Sequence, residues 1–210
     1  MLNYEKKLGL DKSWEKMQSS VAIGSCFQIV FHVISYIVSY LIFRWVFHLI
    51  PNICFWNRTG NLFSIWNMSF TTADCIYFMF GFLIYIYGSI RFIGINRQNH
   101  SVRNDENKPA QLLTSGYYAR LRHPMYGAFI IRFAAVFLSL RSLTGLILAV
   151  SFSVLQYWNG FREENKHLIP SFGNEYKQYK ENVKGALLQK GELFIIVIWI
   201  IVDVVGLVIK

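Results

Sequence analysis

Runs of apolar residues near the length of a bilayer crossing recur along this 210-residue chain. A helix rising 1.5 Å per residue needs about 20 such residues to cross a hydrocarbon layer of about 30 Å. Two runs meet that length, from about Val21 to Phe43 and from about Ala73 to Ile95. A third starts after Pro124 and continues to Trp158, broken by Arg141 and Ser142, and reads as a helical hairpin with a very tight turn. Its arms are each a little short, so a full two-span hairpin and a re-entrant one both fit. A last run, Leu193 to Ile209, is long enough for a final span. The chain therefore reads as all-α, a polytopic integral membrane bundle of about five transmembrane helices. Its loops are too short to fold alone, so residues 1–210 read as a single domain.

Only 16% of the residues are charged and 54% are hydrophobic, against about 25% charged in an ordinary soluble domain. Such a chain cannot cover itself with a water-facing surface. That sets aside a disordered chain, a secreted disulfide scaffold and, despite a net charge of +9, a nucleic-acid binder. Cys26, Cys54 and Cys75 have no metal-ligand spacing and are odd in number, so no metal site and no complete disulfide pairing is expected. The long polar amino terminus, MLNYEKKLGLDKSWEKMQSS, is unlike a signal peptide, whose apolar core follows a short basic region.

Lysine and arginine orient the spans, because cytoplasmic connections carry their excess. The amino-terminal arm has Lys6, Lys7, Lys12 and Lys16, and the first loop only Arg58. The next connection has Arg97, Arg103, Lys108, Arg120 and Arg122, and the hairpin tip only Arg141. Six basic residues then follow between Arg162 and Lys190. This alternation predicts that the amino terminus and both polar segments, 96–123 and 161–191, are cytoplasmic. Asn57 and Asn67 stand in short glycosylation sequons on the opposite side.

Both segments flank the same hairpin, so residues around 116–126 and 160–180 can build one pocket at its base. The first segment reads QLLTSGYYARLRHPMYGAF. Gly116 suits a turn, and Pro124 suits the first turn of a helix, where its missing N–H would be an orphan. The free N–H groups of that helix start, with Arg122 and His123 beside them, would attract a carboxylate or other anion. Equally, Arg120, Arg122 and His123 could simply anchor a helix at the headgroups. In the second segment, Glu164 lies four residues after Gly160 and four before Leu168, while Glu163 points about 100° away. One carboxylate can thus face inward and bind an ammonium, or take a proton if burial raised its pKa. Tyr176 and Tyr179 share a helix face and can pack as a pair. A solvated interfacial helix with Lys177, Lys180 and Lys184 on its wet side fits this segment as well.

Together the two segments resemble a known family. Leu112 to Tyr126, LLTSGYYARLRHPMY, is similar to the hallmark segment of the isoprenylcysteine carboxyl methyltransferase and phospholipid methyltransferase superfamily. Glu163, Glu164, Leu168, Phe172, Gly173, Tyr176 and Tyr179 match its companion motif. The motif-bearing core covers about 96–183. The resemblance implies a membrane methyltransferase using S-adenosylmethionine from the cytosol and a lipophilic acceptor that arrives laterally from the bilayer. It implies cofactor-binding roles for Gly116, Tyr117, Arg122, His123, Pro124, Tyr126, Glu164, Tyr176 and Tyr179, with Glu164 and Arg162 as candidate catalytic groups. Methylation of a prenylated cysteine carboxylate is the favoured reaction, and amine methylation of a phospholipid such as phosphatidylethanolamine the alternative. The implied location is the endoplasmic reticulum membrane in a eukaryote or the cytoplasmic membrane in a prokaryote.

Arg132 and Asp203 are charges inside spans, and such residues are often functional. They motivate a competing class, a membrane scaffold or small transporter. Their depths of about 12 and 17 Å from the starts of their helices predict that they pair. The topology has its own test. Single cysteines at Ser101 and Ser171, in a chain lacking the native three, should be labelled only from the cytoplasmic side of intact vesicles. Labelling of either from the other side would separate the two segments.

Overall fold

The computed structural model describes residues 27–49, 53–56, 60–65, 68–100 and 111–208. The amino-terminal arm, Cys26, Arg58, both sequon asparagines, Arg103 and Lys108 lie outside the described residues. Helices α1 (Phe27–His48), α2 (Thr72–His100) and α6 (Lys190–Val208) are each long and apolar enough to cross a membrane. Between α1 and α2 stands a two-stranded antiparallel hairpin, β1 (Asn61–Ile65) and β2 (Met68–Thr71). Helices α3 (Pro124–Ser139) and α4 (Leu143–Glu163) form the expected apolar hairpin, followed by a π-helical turn (Glu164–Leu168) and α5 (Ile169–Asn182).

Helix α3 is the centre of the bundle, and small residues make it so. Along α2, a Cβ on Gly81 would fall 1.8 Å from Ser139 Oγ, and one on Gly88 would fall 2.9 Å from Ile131 and Arg132. These two glycines let the backbones approach, which is how helices gain packing energy where lipid supplies no hydrophobic drive. Helix α1 closes the other side with tyrosines. Tyr36 and Tyr40 are fully buried, and the Tyr36 hydroxyl donates to the Phe78 carbonyl at 2.9 Å and lies 3.0 Å from Ser139 Oγ. On α4 the buried residues are Gly145, Ala149, Gln156 and Gly160, a narrow stripe toward α3, while Val154, Leu155 and Trp158 are exposed.

At the end remote from the sequence motifs, the hairpin turns at Leu140–Ser142 with Arg141 at φ 46°. Arg141 is no loop charge. Its guanidinium is buried and donates from Nη2 at 2.7 Å and Nε at 2.9 Å to Asp74 Oδ1, and Arg44 reaches the same oxygen at 2.9 Å. Asp74 also caps α2: its other oxygen accepts the Thr71 N–H at 2.8 Å, and its own N–H donates back to Thr71 Oγ1 at 3.3 Å, a reciprocal capping box. The tip therefore lies level with the end of α1 and the start of α2.

The pairing expected between Arg132 and Asp203 does not form. Arg132 faces α1 and α2, donating to Tyr85 Oη at 2.8 Å and His32 Nδ1 at 3.3 Å. Asp203 is fully buried on α6, on the side of Tyr77 and Arg141. Similar depth did not make them neighbours, because depth fixes a level in the bundle and not a helix face. At the other end of α6, Glu192 forms a buried ion pair with Arg91 and accepts the Gln189 N–H at 2.8 Å, capping its own helix.

Asp74 is the carboxylate partner shared by two arginines, so its removal leaves still more buried charge uncompensated. Asp74→Asn should destabilise the protein by about 3 to 5 kcal/mol, read as thermal unfolding in detergent. A loss under about 1 kcal/mol, the value of an exposed pair, would show that water reaches this end.

Candidate active site

The first motif is fixed to the end of α2. Gly116, at φ 60°, opens a 3₁₀ turn (Gly116–Ala119), and a Cβ there would meet the Gln98 amide at 2.8 Å. Gln98 Nε2 donates to the Ser115 carbonyl at 2.9 Å, while its Oε1 accepts the Tyr117 N–H at 3.3 Å. Tyr118 donates to Asn99 Oδ1 at 2.7 Å. The chain then passes under a strap, with the Arg122 and His123 N–H groups donating to the Gly185 and Ala186 carbonyls at 2.9 Å each. Pro124 then starts α3. A Cβ on Gly127 would overlap the Leu187 carbonyl at 1.8 Å, and one on Gly185 would meet the Arg120 carbonyl at 2.4 Å.

The second motif meets the first through Glu164. Its Oε1 accepts from Arg122 Nε at 2.8 Å and faces His123 Nε2 at 3.0 Å, and its Oε2 accepts from Lys180 Nζ at 2.6 Å. The His123 ring is held between both glutamates, with Nδ1 3.2 Å from Glu163 Oε2. Arg122 Nη1 donates to the Val183 and Lys184 carbonyls at 2.9 and 3.2 Å. Burial opposes charge on Glu164, but the hydrogen bonds from Lys180, Arg122 and His123 outweigh it and hold its carboxyl down at about 2. Burial, with Glu164 beside it, pushes the Tyr176 phenol above its ordinary value, and burial does the same to Tyr179. Both are neutral. Tyr179 donates to the Tyr118 carbonyl at 2.7 Å, and the two rings pack at 5.8 Å between centroids.

Over this cluster opens a cavity of about 320 Å³, within the range of small-molecule sites. Of the residues singled out in the sequence, Arg122, His123, Tyr126, Tyr176, Tyr179 and Phe172 line it. Glu163 lines it too, whereas Glu164 lies behind the wall, 3% exposed and occupied by Arg122, Lys180 and the His123 ring. Pro124 is buried at the start of α3, beside Met125 and Tyr126 of the lining. Gly116 shapes the turn without bordering the cavity. Tyr117 turns outward, its hydroxyl over Gly94 of α2, and its neighbour Tyr118 takes the cavity side. Arg162 is not brought to the site: two residues from Glu164, about 200° around a helix, it is exposed with its guanidinium 5.4 Å over the Trp158 ring. Sequence reasoning assigned no cavity role to Tyr118, Asn99, Leu112, Leu113 or Met125. Four of the five lie within the first motif segment and Asn99 at the end of α2, but only the fold tells which of two neighbouring tyrosines points inward.

The profile of the phospholipid methyltransferase family matches residues 68–175, which take in α2, both glutamates, the π-turn and all of the cavity lining but Tyr176 and Tyr179. The chain belongs to that family. Among curated proteins it is 32% identical over 117 residues to the human protein-S-isoprenylcysteine O-methyltransferase, covering 51% of this chain and 39% of that protein. Its identity to the protein of the same name from Schizosaccharomyces pombe is 31% over 93 residues, 42% of this chain and 38% of the relative. Methanethiol S-methyltransferase 1 of Bradyrhizobium diazoefficiens is 28% identical over 99 residues, 47% of this chain and 34% of its own length. The chain thus spans about two fifths or less of the length of the curated relatives it matches. No solved structure gives a significant match.

Glu164 also predicts a pH dependence. Its folded value of about 2 lies below the ordinary 4.5, so its ionised form contributes stability that is present above about pH 4.5 and lost as pH falls toward 2. The difference in melting temperature between wild type and Glu164→Gln should therefore shrink as pH is lowered from about 5 to about 3. A difference independent of pH would mean that Glu164 is not held as an anion.

Proposed function

We propose that this chain is a membrane methyltransferase that uses S-adenosylmethionine and methylates the carboxylate of a carboxy-terminal prenylated cysteine. The residues around the cavity suit the donor. Its amino-acid end carries a carboxylate beside an ammonium, and the cavity offers a cation beside an anion, Arg122 and Glu163. Nε and Nη1 of Arg122 are committed to protein acceptors, while Nη2 makes no hydrogen bond among the described residues. Tyr118, Tyr126 and Phe172 offer aromatic faces, which attract a cationic sulfonium. When bound, S-adenosylmethionine supplies a methyl group that a nucleophile displaces in line, with S-adenosylhomocysteine as the leaving molecule.

The chain's own part is to hold and orient. Glu164 sets the position of Arg122 and His123, and Tyr179 sets the turn that carries Tyr118. Leu112, Leu113 and Leu168 give the cavity apolar walls that exclude water. Positioning of this kind can contribute about 7 to 11 kcal/mol to a reaction between two bound molecules. The cavity lies at the end of an apolar bundle whose α4 exposes Trp158 and Phe161 beside it, a setting suited to an acceptor that stays in the bilayer. The basic residues of segments 96–123 and 161–191 support a cytosolic opening.

The state of Glu164 carries the choice of acceptor. An amine must lose a proton before it attacks, and a carboxylate held at about 2 and paired with Arg122 and Lys180 is a poor base. A prenylcysteine carboxylate is already anionic and needs none. Amine methylation keeps one supporting observation, the His123–Glu163 contact at the cavity wall, which could take up a proton.

Membranes containing the full chain and methyl-labelled S-adenosylmethionine should label a farnesylcysteine derivative and not phosphatidylethanolamine; the opposite pattern selects the amine reading, and label in neither overturns both. Glu163→Gln should raise the S-adenosylmethionine KM about tenfold with kcat little changed, since a charge-assisted hydrogen bond becomes a neutral one. This differs from the sequence-based assignment of the ammonium to Glu164, which lies behind the cavity wall, and unchanged KM in Glu163→Gln would remove Glu163 from donor binding.

A further inference from the structure

Most buried or half-buried arginines among the described residues have a carboxylate. Arg91 has Glu192, Arg122 has Glu164, and Arg44 and Arg141 share Asp74. Arg132 has none within ion-pair distance among the described residues. It lies eight residues past Pro124, about 12 Å along α3, at the wall of a second cavity of about 280 Å³ between α1, α2 and α3. Its Nη2 donates to Tyr85 and His32, its guanidinium stands 4.9 and 5.2 Å from the Tyr85 and Phe92 ring centroids, and its buried Nε has no hydrogen-bond partner among the described residues. Rings and neutral acceptors soften the cost of a cation at this depth without neutralising it.

We infer that this cavity binds the head of a long-chain carboxylate. The cavity's polar lining is Arg132, Tyr85, Ser35 and Ser39, and Phe43, Phe129 and Phe133 line the rest of it with Val136. A carboxylate accepts from the guanidinium in a charge-assisted pair, with serine hydroxyls as further donors, while its hydrocarbon lies along the phenyl rings. A neutral alcohol or ester would leave the charge uncompensated, and a cation would be repelled. A diacyl phosphate headgroup belongs at the interface and would have to be drawn about 12 Å down α3 with two chains. The site is separate from the proposed methyl-transfer cavity: Arg132 is nine residues past His123, about 14 Å along the helix. Two sources share this chemistry, a free fatty acid of the bilayer and a prenylated cysteine awaiting methylation.

The test uses the purified full chain in neutral detergent, with labelled oleate as the probe and oleyl alcohol and methyl oleate as uncharged controls. Oleate should bind and raise the melting temperature, and the two controls should bind at least tenfold more weakly. Arg132→Met should lose oleate binding at least tenfold, yet melt no lower than wild type without ligand, because it removes an uncompensated buried charge. Ser39→Phe fills the cavity with Arg132 intact and should lose binding as well, which decides the matter if Arg132→Met fails to fold. Equal binding of oleyl alcohol, or oleate binding within twofold of wild type in either variant, overturns the inference. Tighter binding of N-acetyl-farnesylcysteine than of oleate identifies the methyl acceptor as the ligand, and weaker binding identifies a bilayer fatty acid. S-adenosylmethionine binding, measured on the same variants, stays independent of these outcomes and so separates this site from the reading of the first cavity.

Discussion

Glu164 draws Arg122 and His123 from the start of α3 and Lys180 from α5 onto one carboxylate. An anion that is 3% exposed could not stay charged there without them, and three cationic or hydrogen-bonding side chains would not converge without it. The cavity is a consequence of that convergence. Arg122 and His123 come to its wall because Glu164 holds them from behind, and α5 folds back over the hairpin base because Lys180 is tied to the same carboxylate. The strap at 183–187 then closes over the first motif through the Arg122 and His123 N–H groups.

The opposite end of the same hairpin uses the same device. Asp74 gathers Arg44 from α1 and Arg141 from the tip while capping α2. The α3–α4 hairpin is thus fixed at both ends by a carboxylate, and between them α3 is held by close approach at Gly81 and Gly88 of α2. A site built at one end of so tightly packed a helix inherits its rigidity, and this matters for chemistry that gains chiefly from position.

Much of this architecture was legible in the sequence because membrane spans write themselves as length and hydropathy. The starts of α3 and α6 came out close to the structure, through Pro124 and the apolar run after Glu192. What local pattern could not supply was partnership. Arg141 counts as a loop charge in any tally of connections, yet its partner Asp74 is 67 residues away. The β-hairpin carries only short strands, Asn61–Ile65 and Met68–Thr71, and two strands of this length give too little alternation to be read. Arg132 and Asp203 were matched by depth alone, while their actual neighbours were set by the rotation of α3 and α6. In the site, the motif residues were found by resemblance, but their side was not: Tyr117 and Arg162 point away, and Tyr118 and Glu163 point in.

That last division follows from helix geometry at the end of α4. Consecutive residues on an α-helix diverge by about 100°, so two adjacent glutamates cannot serve one face. Glu164 takes the inner direction, against Arg122 and Lys180, and Glu163 takes the cavity side. His123 lies between the two directions and touches both, which is possible because Gly160, one turn earlier, leaves the ring room: a Cβ there would stand 3.3 Å from it. Immediately afterwards the helix widens, with the Ile169 N–H donating to the Glu164 carbonyl five residues back. Such π-turns change the phase of a helix and recur at functional sites. Here the changed phase carries Leu168 and Phe172 round to the cavity and leaves Tyr176 buried beside Glu164. The doubled glutamate and the irregular turn are therefore parts of one arrangement, in which one acid holds the wall and the other faces the cavity.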